Sequence, residues 1–507
     1  MKYLHPSFYF IATCLLLIFV ACEKSEPDPS NIPIIKNINH VLNPSGRCPL
    51  TAMTTIESSR ESKVTIAVQG NSPLVKTFNA FSIVHELPIL GLYADTNNEV
   101  IITLEDYQGI TEKDTIYIQT EALPDYLPTM DIVKIEESSM ETGWSFCNVG
   151  IGNGNTEFLS QPMMFDNLGN VRWYMDLGRN LNLPIIRNQN GNLVFADYNV
   201  LFELDMLGNE LSRSSLGSYV QHHEIFEKED GNLLIAVTDQ NSGSSLDFII
   251  EFDTQINSII KVWDLREYLD VDRTNLVLFS GTDWMHVNSI GYDKVDNSLV
   301  ISGRNQGICK VGYDKKLKWI MAPHRGWEKS GVNGNGFETA DFLLQATDQN
   351  GAILDDQIQK GVSISDNFEW TWGQHAVLVL DNQDILVFDN GFNRNFQFQN
   401  EGYSRAVSYT IDENNMQIKQ NWQYGKELGN PFWAKIISDV DVLPQSGNLL
   451  ITAGVNSFGA SIHEITYPDN NLLFKANIIF KNQNGGGSTW GDYDLMYRSE
   501  RMSIYPE

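Results

Sequence analysis

Four short stretches carry residue types that do chemistry together: Gln221-His-His-Glu224, Asp283-Trp-Met-His-Val-Asn-Ser289, Ser302-Gly-Arg-Asn-Gln306 and Gln374-His-Ala376. A lone histidine is most often a hydrogen-bonded structural residue, but these four stretches offer imidazoles, a guanidinium and an amide as a set. Neutral imidazole is a nucleophile and a proton carrier near pH 7. The fork of N–H groups on Arg304 suits a tetrahedral oxyanion, and Gly303 gives it room in a strand bend. Asn288 lies two residues from His286, on the same side of an extended strand, and adds a neutral donor. Strand alternation lets only one of His222 and His223 point inward. Ten residues separate both His223 from Leu233 and His375 from Ile385, which favours His223. Two other readings compete with group transfer of an oxyanion. Three histidines resemble a catalytic metal set of a hydrolase or lyase, although Arg304 beside them disfavours a cation. The same cleft on a non-catalytic domain would only bind sulfated or phenolic ligands.

The elements that must hold these side chains repeat along the chain. An apolar run, an Asp in a turn and a second run often carrying Trp recur six times: at Asp166 with Trp173, Asp205, Asp253 with Trp263, Asp314 with Trp319, Asp412 with Trp422, and Asp469. Ahead of five of them lies a strand such as Gly191-Asn-Leu-Val or Gly447-Asn-Leu-Leu. This pattern predicts an all-β chain whose larger part, residues 129–507, is a six-bladed β-propeller. Corresponding blade positions converge on the propeller axis, so the histidines before three of these strands face one funnel. The strand of residues 495–505 is expected to complete an early blade. Residues 34–122 carry alternating runs such as Lys63-Val-Thr-Ile-Ala-Val68 and read as a small N-terminal β-sandwich, with 123–128 as linker. The sandwich suggests no chemistry; presentation or homodimerisation fits it. Residues 325–368 lack the repeat and are expected to form a flap over the funnel.

The motifs in their order are similar to those of the bacterial aryl-sulfate sulfotransferases, which work without PAPS and need no cofactor. The resemblance covers nearly the whole chain after the leader and includes Leu386-Val-Phe-Asp-Asn-Gly391 and Tyr403-Ser-Arg-Ala-Val407. It implies a six-bladed propeller behind a β-sandwich. It also implies that His375 takes up the sulfuryl group, while His286, Asn288, Arg304 and one of His222 and His223 grip the sulfate oxygens. An aryl sulfate donor and a phenolic acceptor would be the substrates. Trp284, Trp370 and Trp372, beside the histidine motifs, are candidates for an aryl pocket. Arg405 is either structural or adds to the positive field. His324 and His463 read as structural.

Composition sets the compartment and the partners. Formal charge is −29 over 507 residues, which excludes the basic footprint that nucleic acid needs. Residues 1–21 read as a signal peptide whose apolar run is too short to span a membrane. Ala21-Cys22 resembles a lipobox, and residues 22–33 form a charged, Pro-containing tether. Together these predict a lipoprotein cleaved before Cys22 and anchored by lipid in the envelope of a Gram-negative-type bacterium, periplasmic or surface-exposed. Cys48, Cys147 and Cys309 show no C-x-x-C spacing, so neither a disulfide framework nor a zinc site is expected.

Overall fold

The computed structural model describes residues 35–152, 158–178, 183–273, 282–397, 401–457, 459–482 and 491–506. The expected leader, tether and lipid-bearing Cys22 lie outside them.

The N-terminal strands Ile35–Leu42, Ala52–Val68, Leu74–Ile89, Asn97–Asp106 and Thr111–Gln119 form one antiparallel sheet. Ala52–Val68 alternates along its length, with Ala52, Ile56, Val64, Ile66 and Val68 buried. One of its edges pairs with Leu74–Ile89 throughout. The other switches partner at the irregularity around residues 57–62, from Ile35–Leu42 to Asn97–Asp106. A single long strand therefore belongs to both halves of the domain.

Six further sheets follow, each with four or five strands among the described residues. The first strand of one packs beside the first strand of the next, from Tyr219–Glu227 to Val287–Asp293, His375–Val379, Asp439–Val442 and Leu495–Met502. These inner strands surround an axis, and the sheets are the blades of a propeller. Two exchanged strands close the ring. Leu495–Met502 becomes the inner strand beside Trp144–Gly152, as expected. Thr129–Ile135 crosses back to the outer edge of the last sheet, beside Leu472–Ile479.

The repeated residues explain how the blades hold. Asp166 Oδ1 accepts from the N–H groups of Leu168 and Asn170 at 3.0 Å, closing the outer hairpin. Asp205, Asp253 and Asp412 do the same in their blades. A short carboxylate that satisfies its own turn is why Asp recurs there. The Trp residues fasten blade to blade. Trp173 Nε1 donates to Met206 O at 2.8 Å, Trp319 Nε1 to Glu413 at 3.0 Å, and Trp422 Nε1 to Pro468 O at 3.0 Å, each in the following sheet. Trp263 is buried without such a bond.

Residues 325–368 do not behave as the expected flap. Gln345–Ala346 adds as a parallel strand to Gln417–Tyr424, at the opposite edge of its sheet from the inner strand His375–Val379. Leu344, Ala346 and Ile358 are buried in the same core as Trp370 and Tyr409. These three side chains find their partners at the outer edge of that sheet, while Val332, Ile353, Val362 and Ile364 stay exposed.

Candidate functional site

Three inner strands are irregular where they carry histidine. Pairing is interrupted between Gln221 and Ile225, between Val287 and Ser289, and between His375 and Leu378. At or just before each break one residue is left-handed: His223 (φ 52°), His286 (φ 56°, immediately ahead of its strand) and Ala376 (φ 53°). Each such residue costs about 1–3 kcal/mol, and bulges of this kind re-aim side chains beside active sites. Regular alternation is therefore lost where the sequence reading relied on it. His222 and His223 both turn to one side, with Nδ1 atoms 3.3 Å apart. Of the pair, His223 meets the His286 ring.

His223, His286, His375 and Arg304 gather around the axis. The His223 and His286 rings lie 4.7 Å apart between centroids. The fields of Arg304, His286 and His375 all reach His223. The Arg304 N–H donates to His286 O at 3.0 Å, so the guanidinium stem starts beside that imidazole. A Cβ at Gly303 would lie 2.3 Å from the end of the Met285 side chain, which would have to move aside.

His375 is held in one tautomer. Its Nδ1 lies 2.8 Å from Asn390 Oδ1 and 3.1 Å from Gly373 O. Asn390 Nδ2 donates to Ala434 O at 2.7 Å and Ile437 O at 2.8 Å, which fixes the amide's orientation. Both neighbours of Nδ1 are acceptors, so Nδ1 carries the hydrogen and Nε2 keeps its lone pair. Burial, with Arg304 adding to it, pushes the His375 pKa well below the ordinary imidazole value. Nε2 is thus a free base and nucleophile at neutral pH.

The other imidazoles are also driven neutral. Burial lowers His222 to about 3 and His223 well below its usual value. His222 Nε2 is sealed near the Val237 and Val287 backbone without reaching hydrogen-bond geometry. His286 is lowered by burial, against the pull of Asp283, whose Oδ2 is 2.7 Å from His286 Nδ1. His286 then presents Nε2 on the side away from Asp283. Arg304 makes no ion pair among the described residues, its Nε is buried without a partner, and burial lowers its pKa. A desolvated cation with no counter-ion is an anion site.

Asn288 sits elsewhere than expected. Once the bulge breaks alternation, its Nδ2 donates to Gln374 O at 2.6 Å and its Oδ1 is buried without a partner. Gln374 Nε2 in turn donates to Gly303 O at 3.1 Å. These amides tie the blade of His286 and Arg304 to the blade of His375.

The remaining candidates belong to the scaffold except Trp372, which lines a small cavity with Arg304 and Phe392. Trp284 Nε1 donates to Asp247 and Trp370 Nε1 to Ile358 O, both in packed cores. Trp372 packs against Phe396. Arg405 is fully buried, 2.9 Å from Asp389. His324 Nε2 lies 2.8 Å from Leu344 O. Sequence reasoning missed Asp283, Asn390 and the pair Tyr497-Arg498. Tyr497 OH donates to His223 O at 2.7 Å, and Arg498 grips both oxygens of Glu224 at 2.6 and 2.8 Å. Among the described residues no three His, Cys, Asp or Glu side chains are arranged to hold a metal ion.

A closed ring of β-sheets with neutral imidazoles and one unpaired guanidinium on its axis defines a propeller built to handle an oxyanion. The chain belongs to the arylsulfotransferase family: that family's profile matches residues 114–486, and its Ig-like domain matches residues 40–121. It is therefore a transferase. The arylsulfate sulfotransferase AssT of Escherichia coli O6:H1 is 26% identical, over 83% of this chain and 85% of its own. The protein of the same name from Lelliottia amnigena is 26% identical, over 87% of this chain and 90% of its own. Among solved structures, one described as the Dos1 propeller covers 78% of this chain at 9% identity and a TM-score of 0.32, too low to add to what the sheets show.

Proposed function

We propose that this protein moves a sulfuryl group from an aryl sulfate to a phenol through a sulfohistidine at His375, without PAPS. The observation that carries the reading is the fixed Nδ1–H of His375, which leaves Nε2 nucleophilic beside the unpaired Arg304. The two AssT relatives support the substrate class. His375 Nε2 attacks sulfur, the S–O bond to the arene breaks, and its electron pair leaves on the phenolate. Arg304 holds the charge on the non-bridging oxygens, as phosphoryl transfer requires by analogy. In the second half the acceptor's oxygen attacks the same sulfur, its proton passes to His286 Nε2, and the S–N pair returns to His375. Asp283 steadies the imidazolium that forms. That imidazolium gives its proton to the next departing phenolate, so the cycle is balanced. His223 completes the wall and offers a hydrogen bond to a sulfate oxygen, with His222 packed behind it.

Intact-mass analysis after brief exposure to 4-nitrophenyl sulfate tests this. One added SO₃ is expected on the peptide containing His375, and none in His375→Ala. Full transfer by His375→Ala would overturn the reading.

We also propose lipidation at Cys22 and residence in the cell envelope, on the leader alone; loss of palmitate labelling in Cys22→Ser checks it. The N-terminal sheet exposes Val75, Ile83, Val84, Tyr107 and Tyr117, which supports a homodimer through that domain; light scattering measures it.

A further inference from the structure

A second site lies off the axis, on the sheet that contains Asp439–Val442. Strands Gly459–Ile465 and Leu472–Ile479 pair so that His463 opposes Lys475 and Ser461 opposes Asn477. Opposed residues share one face of a sheet. A cavity of about 300 Å³ opens over this face, with Leu428, Pro431 and Phe432 as its far wall. His463 and Ser461 form its floor, while Lys475, Asn456 and Asn477 are half-buried nearer the mouth.

The floor is incomplete. His463 is 2% exposed, and its Nε2 has no hydrogen-bond partner. Its Nδ1 lies 2.8 Å from the Tyr424 hydroxyl. No other partner of that hydroxyl exists among the described residues, so the phenol donates and Nδ1 accepts. The hydrogen is then on Nε2, at the buried end of a residue that lines the cavity. An unmet buried N–H costs about 1–3 kcal/mol, a cost that a ligand accepting from it would remove. Asn456 Nδ2 donates to Ser461 Oγ at 3.3 Å, leaving the hydroxyl hydrogen free to donate as well. Asn477 Nδ2 is turned to Asp131 at the rim, at 3.3 Å. Lys475 forms no ion pair among the described residues. Opposite these donors the Phe432 ring sits 5.0 Å from the His463 ring, tilted by 33°.

We propose that this cavity binds a small aromatic monoanion, with its charged group on Lys475, the Nε2–H of His463 and Ser461, and its ring against Phe432 and Leu428. One cation, two neutral donors and an aromatic wall match a single ring bearing one carboxylate or sulfate ester. The volume is at the lower end of the range for small-molecule pockets, which favours one ring over two. The proposal does not depend on the chemistry at His375.

The test uses the full chain carrying Arg304→Ala, so that the axial site does not compete. It is titrated calorimetrically with 4-bromobenzoate and with 4-bromophenyl sulfate, and its crystals are soaked in each. Binding of at least one is expected, with the bromine signal inside the cavity. The two probes separate a carboxylate ligand from a sulfate ester. Adding Lys475→Met should weaken binding about tenfold or more, as loss of a charge-assisted contact does. Lys475 is half-buried at the mouth, so an unchanged melting curve should accompany the loss. The proposal fails if neither probe binds below about 10 mM, if bromine appears elsewhere, or if Lys475→Met leaves the affinity unaltered.

Discussion

Two levels of the axis use the same side chain in opposite ways. At the level of the imidazoles, Arg304 has no carboxylate within ion-pair distance among the described residues. One step further along the inner strands, Arg498 is clasped by Glu224 and lies 3.9 Å from Asp439, with Asp441 and Glu500 close by. There the guanidinium is saturated and its pKa is raised; at the upper level burial lowers it. A buried cation with its own carboxylate is scaffold, whereas one without is held ready for an anion from outside. The difference also explains how a chain of charge −29 can take a sulfate ester. Apart from Asp283, the acidity of Glu224, Asp439, Asp441 and Glu500 is kept to the lower level, and among the described residues Arg304 is the cation beside the imidazoles.

The comparison is broken most directly at Arg304. Arg304→Met should lower kcat/KM for aryl sulfate by about 10²–10³, yet leave thermal stability unchanged or improved, because an unpaired buried charge is removed. Arg498→Met should do the reverse. Leaving Glu224 without its partner costs about 3–5 kcal/mol, read as a lower denaturation midpoint. Equal effects of both variants on both readouts would erase the distinction.

A smaller effect is expected at Asn390, whose Oδ1 meets His375. Asn390→Leu frees the ring from its tautomer and should lower kcat about 10–100-fold with little change in KM, measured at saturating donor. Asn390→Asp sharpens the point. In the native protein the depressed His375 pKa keeps Nε2 unprotonated well below the ordinary imidazole range, so the acid limb of activity lies low. A carboxylate at residue 390 favours the charged ring and should move that limb to higher pH.

The smallest effect is expected at Glu500, beside Arg498. Burial raises Glu500 to about 7, with Asp439 adding to the shift, and Asp439 and Asp441 are raised as well. A carboxyl raised in the folded state contributes its stability below the unfolded pKa and loses it as pH rises through about 7. Glu500→Gln should therefore stabilise at pH 8 by up to about 2 kcal/mol and change little at pH 5. Melting curves at the two values check it.

Much of this was legible in the sequence for a physical reason: local chemistry repeats. The Asp turns and Trp staples are short-range signals, and they located the blades and the closing strand 495–502. The histidine motifs were readable because each precedes a recognisable strand. What escaped depends on irregular backbone or distant partners. No propensity marks His223 or His286 as left-handed, so regular alternation is lost beside them and Asn288 turns to Gln374 O. Asn390 stood in plain view within Asp-Asn-Gly, but its partners Ala434 and Ile437 come more than forty residues later. Residues 325–368 were misplaced because a two-residue parallel strand leaves no periodic trace.

Closure by exchanged strands has a consequence for damaged messages. A premature stop after His463 but before residue 495 yields a product with every histidine and Arg304, yet lacking the staves contributed by Tyr497 and Arg498. Such a fragment is a barrel missing its last plank: nothing braces the His223 carbonyl, and Glu224 faces an open seam. Inactivity in clipped products would then be a property of circular architecture, not of any missing reactive group.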